Sequence, residues 1–300
     1  MAISRNQLVK ELEPGLNALF GLEYKQYENQ AAEIYTTESS DRAFEEEVML
    51  SGFASARVKP EGSGVAFDNA QETFTARYTN ETIALAFAIT EEAIEDNLYD
   101  RLASRYTKAL ARSMASTKQV KGAATLNNGF GTFQSGDGVA LFSTAHPTIA
   151  GTFSNTLATA ADLNETSLEQ SLIDIAALTD ERGLKIAAKG VKMIIPSALQ
   201  FTAERLMKSQ GRTSTADNDI NAIRSMGMIP QGYRVNNYLT DTDAFFITTD
   251  VPNGMKHFNR APLTTKMEGD FDTGNVRYKA RERYVFGVSD PRGIFASPGA

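Results

Sequence analysis

The chain has 300 residues, no cysteine, two histidines and a formal net charge of −7. The lack of cysteine excludes disulfides, thiolate metal sites and cysteine nucleophiles, and the acidic balance argues against a protein that coats nucleic acid, because phosphate binding needs a cationic surface. The N-terminal residues lack the apolar core of a signal peptide, and no stretch approaches about eighteen consecutive apolar residues, so we expect neither export nor a membrane segment.

Residues 1–45 predict an N-terminal arm rather than a domain. A short helix is predicted over Arg5–Leu12, and Pro14 is expected to end it, because proline interrupts a helix. The polar tract over residues 28–47 has little apolar periodicity, so it cannot form a core of its own.

A long β-hairpin is predicted over residues 46–88. Residues 52–58 form one arm, KPEGSG at residues 59–64 makes the turn, and the return strand alternates apolar and polar residues. The apolar positions change from even to odd numbers near Asn80, which predicts a bulge or bend. Because few large apolar residues surround the tip, we expect it to need a partner subunit; the other interpretation is a mobile surface hairpin.

A long helix, which we call the spine helix, is predicted at about residues 91–117. Thr90 is a suitable N-cap, acidic residues fill the first turns, and basic residues follow toward the C-terminal end. A winding apolar stripe recurs at four-residue steps and comprises Ile94, Leu98, Leu102, Tyr106 and Leu110.

The middle of the chain predicts a mixed α+β fold. Residues 121–160 are rich in glycine, asparagine, serine and threonine, which indicates loops and short strands. Two capping boxes predict helices, at Thr166 with Glu169 and at Ser197 with Gln200. The apolar run VKMII between them predicts a buried strand. A short helix over 220–225 and strands near 233–235 and 245–248 complete this part.

The last long strand, NVRYKARERYVFGV, alternates cleanly between apolar and cationic residues. Its cations are Arg277, Lys279, Arg281 and Arg283. They form either a solvated sheet face or a row that meets an acidic surface of a neighbouring subunit, such as Glu45, Glu46 and Glu47. We expect further contacts between subunits at the hairpin tip, from Arg57, Lys59 and Glu61.

The stretch FSTAHPT contains the one Ser/His pair that suggests catalysis, Ser143 and His146. It lacks the G-x-S-x-G elbow and a third, orienting residue nearby in sequence. No HExxH, Walker A, GxGxxG or EF-hand pattern occurs either. We therefore expect no catalytic, cofactor-binding or metal-binding residues, and we interpret His146 as an extended turn residue before Pro147. A Ser143/His146 hydrolase remains an alternative.

Three strings resemble the major capsid (major head) proteins of tailed bacteriophages, the Hong Kong ninety-seven capsid-fold family. They are ETIALAFAITEEAIEDNLYD before and into the spine helix, LFSTAHPT after it, and DFDTGNVRYKARERYVFGVSDPRGIFAS near the C-terminus. The order of arm, hairpin, long helix and helix-strand-helix unit is similar to that family over essentially the whole chain.

The resemblance implies a domain plan. Residues 1–45 would be the arm, residues 46–88 an extended loop, and residues 162–250 an axial domain at the centre of each ring of subunits. The peripheral domain, with the spine helix, would comprise residues 89–161 and 251–300.

The resemblance also implies a function and a set of partners. Copies of the chain would assemble as hexamers and pentamers into an icosahedral shell in the virion, made in the host bacterial cytoplasm, that encloses double-stranded DNA without sequence-specific binding. Some family members have an N-terminal extension before the arm that acts as a scaffold. In this sequence the arm is predicted from residue 1, so we expect a separate scaffolding protein and a portal. Decoration proteins are a further class of partner that the family allows. The alternative structural protein is a tail-tube subunit, which would be dominated by β-structure.

Overall fold

The structure is a mixed α+β fold, as predicted. Its helices and strands follow one another along the chain without a regular repeat. The computed structural model describes residues 5–90, 92–93, 99–212, 219–270 and 273–300. Within them, the strands form two four-stranded sheets and two two-stranded ribbons.

The α-helices within the described residues are α1 (Arg5–Gln26), α2 (Tyr99–Asn127), α3 (Glu165–Ala176), α4 (Gln200–Lys208) and α5 (Ala222–Met226). The strands are β1 (Thr36–Ser39), β2 (Phe44–Leu50), β3 (Glu72–Thr79), β4 (Glu81–Ile89), β5 (His146–Thr148), β6 (Gly151–Phe153), β7 (Gly190–Ile195), β8 (Tyr233–Val235), β9 (Phe245–Thr249), β10 (Met255–Gly269), β11 (Val276–Val288) and β12 (Ile294–Ser297).

The main sheet has the strand order β1-β10-β11-β4. β1 runs parallel to β10, and the other two pairs are antiparallel. One face of the sheet packs on α2, where Leu110, Ala111 and Met114 form an apolar cluster with Tyr278 and Ala280 of β11. The alternate side chains of β11 therefore point away from this helix.

The predicted spine helix corresponds to α2, but its extent differs. The helix continues to Asn127, well past the predicted end at residue 117. The predicted start falls partly outside the described residues, although the Thr90 hydroxyl does accept a hydrogen bond from the Ala93 amide at 3.4 Å.

The predicted apolar stripe of this helix is wrong at Tyr106, which is 49% exposed. Leu110 is buried as expected, whereas Ile94, Leu98 and the Leu102 side chain lie outside the described part of the chain. Small residues make up much of the buried face, because a helix that packs closely on a sheet has little room for large side chains; they include Ala103, Thr107, Ala111 and Ala115.

The predicted end of the first helix is also wrong. α1 continues through Pro14 to Gln26, although a proline inside a helix costs about 3 kcal/mol. Leu16 and Phe20, beyond the proline, are buried in the cluster between α1, α2 and the main sheet. Burying each such side chain stabilises the fold by about 1.5–3 kcal/mol, which offsets the cost of the proline.

The predicted strand over residues 52–58 is wrong. β2 and β3 pair antiparallel, but residues 51–71 between them have no regular strand and are mostly exposed. Gly52 has a φ of +64°, a left-handed conformation that turns the chain out of strand geometry. The hairpin is thus a short ribbon that ends in what we call the exposed loop, residues 51–71.

The predicted bend near Asn80 is confirmed. β3 ends at Thr79 in the ribbon, and β4 begins at Glu81 in the main sheet. Between them, the side-chain Nδ2 of Asn80 donates to Ser40 Oγ at 2.8 Å and to the Arg42 carbonyl at 3.0 Å. These bonds fix the point at which the chain passes from one sheet to the other.

The second sheet has the strand order β12-β9-β7-β8. The apolar run VKMII forms β7, and Met193, Ile194 and Ile195 are buried as predicted. β12 joins this sheet from the C-terminus, although the sequence assigned residues 251–300 to the peripheral domain. The C-terminal residues therefore contribute to both sheets.

The two predicted capping boxes are wrong in position. α3 is capped by Asn164, whose side chain accepts from the Ser167 amide at 2.9 Å while Ser167 Oγ accepts from the Asn164 amide at 3.0 Å. Ser197 begins a short 3-10 turn before α4 rather than capping the α-helix through its side chain. An asparagine outside the S/T-x-x-E/Q pattern thus provides the cap of α3.

Candidate subunit interface

The exposed loop presents large apolar side chains to solvent. Phe67 is 98% and Val58 94% exposed, and Phe53 and Val65 are exposed as well. Soluble monomers rarely leave such groups together without a partner, and surfaces of this kind mark interaction sites. The loop is therefore a candidate interaction surface.

The charged residues predicted at this interface lie in the same loop. Arg57, Lys59 and Glu61 are exposed, and they flank a tight turn in which the Ser63 amide donates to the Pro60 carbonyl at 3.2 Å. Their placement at the tip leaves them free to contact a neighbour, and that contact stays a prediction.

Two of the three predicted acidic residues are held within the ribbon. Ser40 Oγ donates to Glu45 at 2.7 Å, and this bond holds the pKa of Glu45 below its usual value. Glu46 lies 3.7 Å from Arg77 Nε, with both side chains largely exposed. Glu46 is accordingly the more accessible of these two carboxylates.

Glu47 has a role inside the subunit that the sequence did not indicate. It forms an ion pair with the buried Lys256, which also pairs with Glu38 at 3.1 Å, and it accepts a hydrogen bond from Ser289. Burial alone would lower the pKa of Lys256, but the bonds to Glu47 and Glu38 outweigh it and raise that pKa. Glu47 thereby fixes the ribbon to the main sheet.

The predicted cationic row on β11 is confirmed as one side of an alternating strand. Arg277, Lys279 and Arg281 are exposed and Arg283 is half-buried. Lys266 of β10 lies opposite Lys279, whereas β4 places the small residues Ala84, Ala86 and Ala88 beside the row. The ion pairs described for Glu46 and Glu47 are with Arg77 and Lys256, so the chain does not join these glutamates to the cationic row.

Glu282 interrupts the apolar face of the same strand and was missed from the sequence. It is buried, and Lys118 of α2 donates to it at 3.4 Å. Burial raises the pKa of Glu282, and Lys118 opposes that rise only in part. Glu282 has an even residue number, like Tyr278 and Tyr284, and the alternation of the strand could therefore have predicted that its side chain is buried.

His146 has the extended backbone that was expected, but it begins strand β5 and is fully buried, so its interpretation as a turn residue is wrong. Its Nδ1 lies 2.6 Å from Asp137 Oδ2, and its Nε2 lies 3.1 Å from both the Leu141 carbonyl and Asn155 Oδ1. The ring also stacks on Phe153 with 4.8 Å between centroids. Each nitrogen is thus occupied by oxygen atoms of the surrounding chain.

Asp137 and Asn155 complete this buried arrangement, and neither was found from the sequence. Burial would raise the pKa of Asp137, but hydrogen bonds from His146, Ser135 and the Val139 amide outweigh it and lower that pKa. The side-chain Nδ2 of Asn155 donates to the Leu141 and Pro291 carbonyls at 2.7 and 3.0 Å. The groups tie three chain segments together.

Ser143 is not arranged as a nucleophile for His146. Its hydroxyl accepts a hydrogen bond from the Ala145 amide at 3.1 Å, and both ring nitrogens of His146 have other partners. A serine nucleophile needs a base within hydrogen-bonding reach of its hydroxyl. The geometry therefore favours a structural role for FSTAHPT.

Another exposed apolar surface lies beside the second sheet. Three large apolar side chains are largely exposed here: Phe201 of α4, Met226 of α5, and Ile220, which precedes α5. α4 packs against α5. Three large apolar side chains on adjoining elements indicate a second region that can contact another molecule.

Neither a membrane-spanning element nor a metal centre is found in the part of the chain that the structure describes. None of its helices combines the length and hydropathy needed to cross a bilayer. No group of three or more histidine, aspartate or glutamate side chains there is placed to hold a metal ion.

A protein-family model described as "Phage capsid protein" matches residues 72–297. The matched residues include the second sheet and the buried His146 arrangement. They also include the main sheet apart from β1. No curated protein matches the sequence.

Solved structures with the same fold come from assembled particles. The capsid of an empty GTA particle aligns with a TM-score of 0.57 at 16% identity, covering 90% of this chain and 89% of that one. The capsid of Myoviridae phage XM1 aligns with a TM-score of 0.55 at 11% identity, covering 89% of each. A virus-like particle from Pyrococcus furiosus aligns with a TM-score of 0.54 at 9% identity, covering 94% of this chain and 97% of that one.

Proposed function

This chain belongs to the phage capsid protein family and has the Hong Kong ninety-seven fold, and on that premise we propose how its surfaces build a shell. It is a major capsid protein, a structural subunit of an icosahedral head. Copies of the chain assemble as hexamers and pentamers, in which the exposed loop of one subunit lies on the body of the next.

The observation that supports this arrangement is the contrast in burial between loop and body. The side chain of Phe67 is 98% exposed, whereas the base of its ribbon is fixed to the main sheet by Glu47 and Lys256. A subunit with a fixed base and an uncovered apolar tip is suited to contact a second copy.

Charged residues add to the contact without dominating it. Arg57, Lys59 and Glu61 form the rim, where each exposed pair contributes about 0.2–1 kcal/mol. Many such weak contacts, repeated over a closed shell, give a stable assembly that tolerates different angles in hexamers and pentamers.

The cationic row of β11 is a second proposed contact. Arg277, Lys279, Arg281 and Arg283 meet an acidic surface of a neighbour. Glu45 and Glu47 have partners inside their own chain, so Glu46 is the best placed member of the predicted acidic group, since its ion-pair partner among the described residues, Arg77, is itself exposed.

The helices beside the second sheet are a third proposed contact. Residues 162–250 act as the axial domain and meet their copies around the ring centre. The exposed Phe201, Ile220 and Met226 support this placement, because ring formation would remove apolar surface from water.

The family and the His146 geometry together support a structural protein without catalytic residues or cofactors. We place it in the virion capsid after synthesis in the bacterial cytoplasm. A separate scaffolding protein, a portal and decoration proteins are proposed partners, and the net charge of −7 suits a shell that encloses DNA without binding it tightly.

Negative-stain microscopy of the purified chain tests this function directly. We expect closed shells or curved capsomer sheets. Regular tubes would indicate a tail-tube subunit instead, which the 29-residue helix α2 does not favour. Dispersed monomers at every concentration and salt condition, with or without co-expressed neighbouring phage proteins, would contradict the proposal.

A further inference from the structure

The exposed loop leaves the ribbon at a well-defined point. The Ser51 amide donates to the Gln71 carbonyl, and the Gln71 amide donates to Ser51 Oγ, each at 2.9 Å. Immediately afterwards Gly52 adopts its positive φ. The two sides of the loop therefore separate from strand geometry just beyond the Ser51–Gln71 pair.

Asp68 links the two sides of the loop above this pair. Its Oδ2 accepts from the Ala54 amide at 2.8 Å, and its Oδ1 accepts from the Asn69 amide at 2.9 Å. These two backbone hydrogen bonds, the first the stronger, lower the pKa of Asp68. The carboxylate is charged at neutral pH and holds the loop as one unit.

Arg182 reaches this unit from a distant part of the chain. Its guanidinium donates to the Asn69 carbonyl at 2.6 Å and lies 3.9 Å from Asp68 Oδ1. Among the hydrogen bonds of the described residues, this is the one that joins residues 52–70 to a segment outside the ribbon. Beyond the ribbon that carries the loop, Arg182 is therefore the side chain that links the loop to the body by a hydrogen bond.

The turn that presents Arg182 is itself rigid. Asp180 Oδ1 accepts from the Arg182 and Leu184 amides at 2.9 and 2.8 Å. Next to it, Glu181 forms a buried ion pair with Arg292 at 2.8 Å, in which both side chains are 3% exposed. The contacts lead without interruption from the buried interior to the loop.

We propose that Arg182 is the positioning residue of the exposed loop: it sets the direction in which the loop leaves its own subunit and hence where it contacts a second copy. This inference rests on the proposed function. Because the contact depends on a single side chain, and its ion-pair partner Asp68 is partly exposed at 3.9 Å, it is weak enough to be broken when the angle between subunits differs.

The test compares Arg182→Ala with Arg212→Ala, a control at a second arginine ion pair. Arg212 pairs with Glu165 at 3.1 Å, away from the loop, and in each pair one side chain is less than one-fifth exposed. Amide hydrogen exchange is measured on free subunits, and shell diameters are measured by microscopy after assembly. In Arg182→Ala, we expect the Ala54 and Asn69 amides, which are hydrogen-bonded to Asp68, to exchange at least about threefold faster and shells to become mixed in size or fail to close.

A conservative variant separates positioning from general damage. Arg182→Lys keeps a cation that can reach Asp68 and Asn69, so we expect exchange and shell diameters between those of Arg182→Ala and the wild type. Arg212→Ala should match the wild type in both measurements. If Arg182→Ala does not fold, Asp68→Asn, which removes the charge facing Arg182 but retains an acceptor for Ala54, takes its place with the same expectation.

Wild-type exchange and a wild-type distribution of shell diameters in Arg182→Ala would overturn the positioning role. So would an equal change in Arg212→Ala, because the effect would then reflect any lost surface charge. If the wild type forms no shells, the proposed function fails, whereas faster exchange in the Arg182→Ala subunit would still support the contact between Arg182 and the loop.

Discussion

Two irregular segments of this protein differ sharply in what orders them. Residues 134–156, which we call the His146 segment, have only two strands of three residues each, and the exposed loop has none. Yet His146 and Asn155 are fully buried, whereas Phe67 is almost fully exposed. Lack of regular secondary structure therefore says little about whether a segment is fixed.

The difference lies in where polar and apolar groups find their partners. In the His146 segment, Asp137, His146 and Asn155 bond to one another or to nearby carbonyls, and Leu141 and Phe142 enter an apolar cluster. Buried polar groups that are all paired fix an irregular backbone. The exposed loop lacks that interior: among the described residues Asp68 and Arg182 hold its backbone, but its apolar side chains stay exposed.

Replacement of residues 56–68 by a short Gly-Ser turn gives the largest expected effect. We expect no closed shells, because the apolar tip is removed, while the subunit remains soluble and unfolds cooperatively, since loop closure depends only weakly on length. Microscopy and thermal unfolding measure the two outcomes. Glu61→Gln, which keeps the apolar residues, is the control and should still form shells.

Closed shells of normal size from the replacement variant would refute the role of the loop. Failure of that variant to fold would equally contradict the comparison, because it would mean that the loop is part of the interior order of the subunit.

His146→Ala should damage the other segment instead. It removes the partner of the buried Asp137 carboxylate and the ring that stacks on Phe153, and the loss of one member of a buried pair costs about 3–5 kcal/mol. We expect a melting temperature lower by roughly 5–10 °C, measured by calorimetry. Thr144→Ala, at a nearby exposed position, should change it little; equal stability of the two variants would be inconsistent with a fixed His146 segment.

Acid titration sharpens the comparison with a smaller effect. The pKa values of Asp137 and Asp68 are both lowered from their usual value of 3.8. A lowered pKa in the folded state adds stability above the usual pKa, and that stability is lost as the pH falls through the folded value. Asp137 is buried, so we expect Asp137→Asn to reduce the loss of stability in acid.

Asp68→Asn should leave the acid dependence of global unfolding unchanged, because Asp68 lies in an exposed loop that opens without unfolding the body. Unfolding midpoints between pH 2 and 6 compare the two variants with the wild type. Identical curves for Asp137→Asn and the wild type would show that Asp137 is not held as the geometry indicates.

Sequence patterns predicted those elements whose order comes from regular periodicity. The alternation along β11 and the apolar run of β7 have a period that a strand imposes, so both were found. α1 beyond Pro14 was missed, because only tertiary burial of Leu16 and Phe20 stabilises it there. Local helix propensity therefore predicts poorly those helices that are stabilised by tertiary packing.

The contacts that fix the two segments and the base of the ribbon could not be predicted, since they join residues distant in sequence. Asn155 reaches Pro291, Glu47 reaches Lys256, and Arg182 reaches Asn69. Only the fold brings such pairs together. The exposed apolar side chains of the loop were missed for a related reason: the sequence analysis noted few large apolar residues near the tip, and only the fold shows that Val58 and Phe67 are left uncovered.

Ser143→Ala should give the smallest effect and completes the comparison. The Ser143 hydroxyl accepts one hydrogen bond, from the Ala145 amide, at a partly exposed position, and a single bond of this kind contributes about 0.5–1.5 kcal/mol. The fixed order of the His146 segment comes instead from Asp137 and Asn155, which this substitution does not touch. We therefore expect stability within about 1 kcal/mol of the wild type, unchanged shells, and no ester hydrolysis by either protein. Hydrolysis by the wild type that disappears in Ser143→Ala would make Ser143 a nucleophile and the His146 segment a catalytic site.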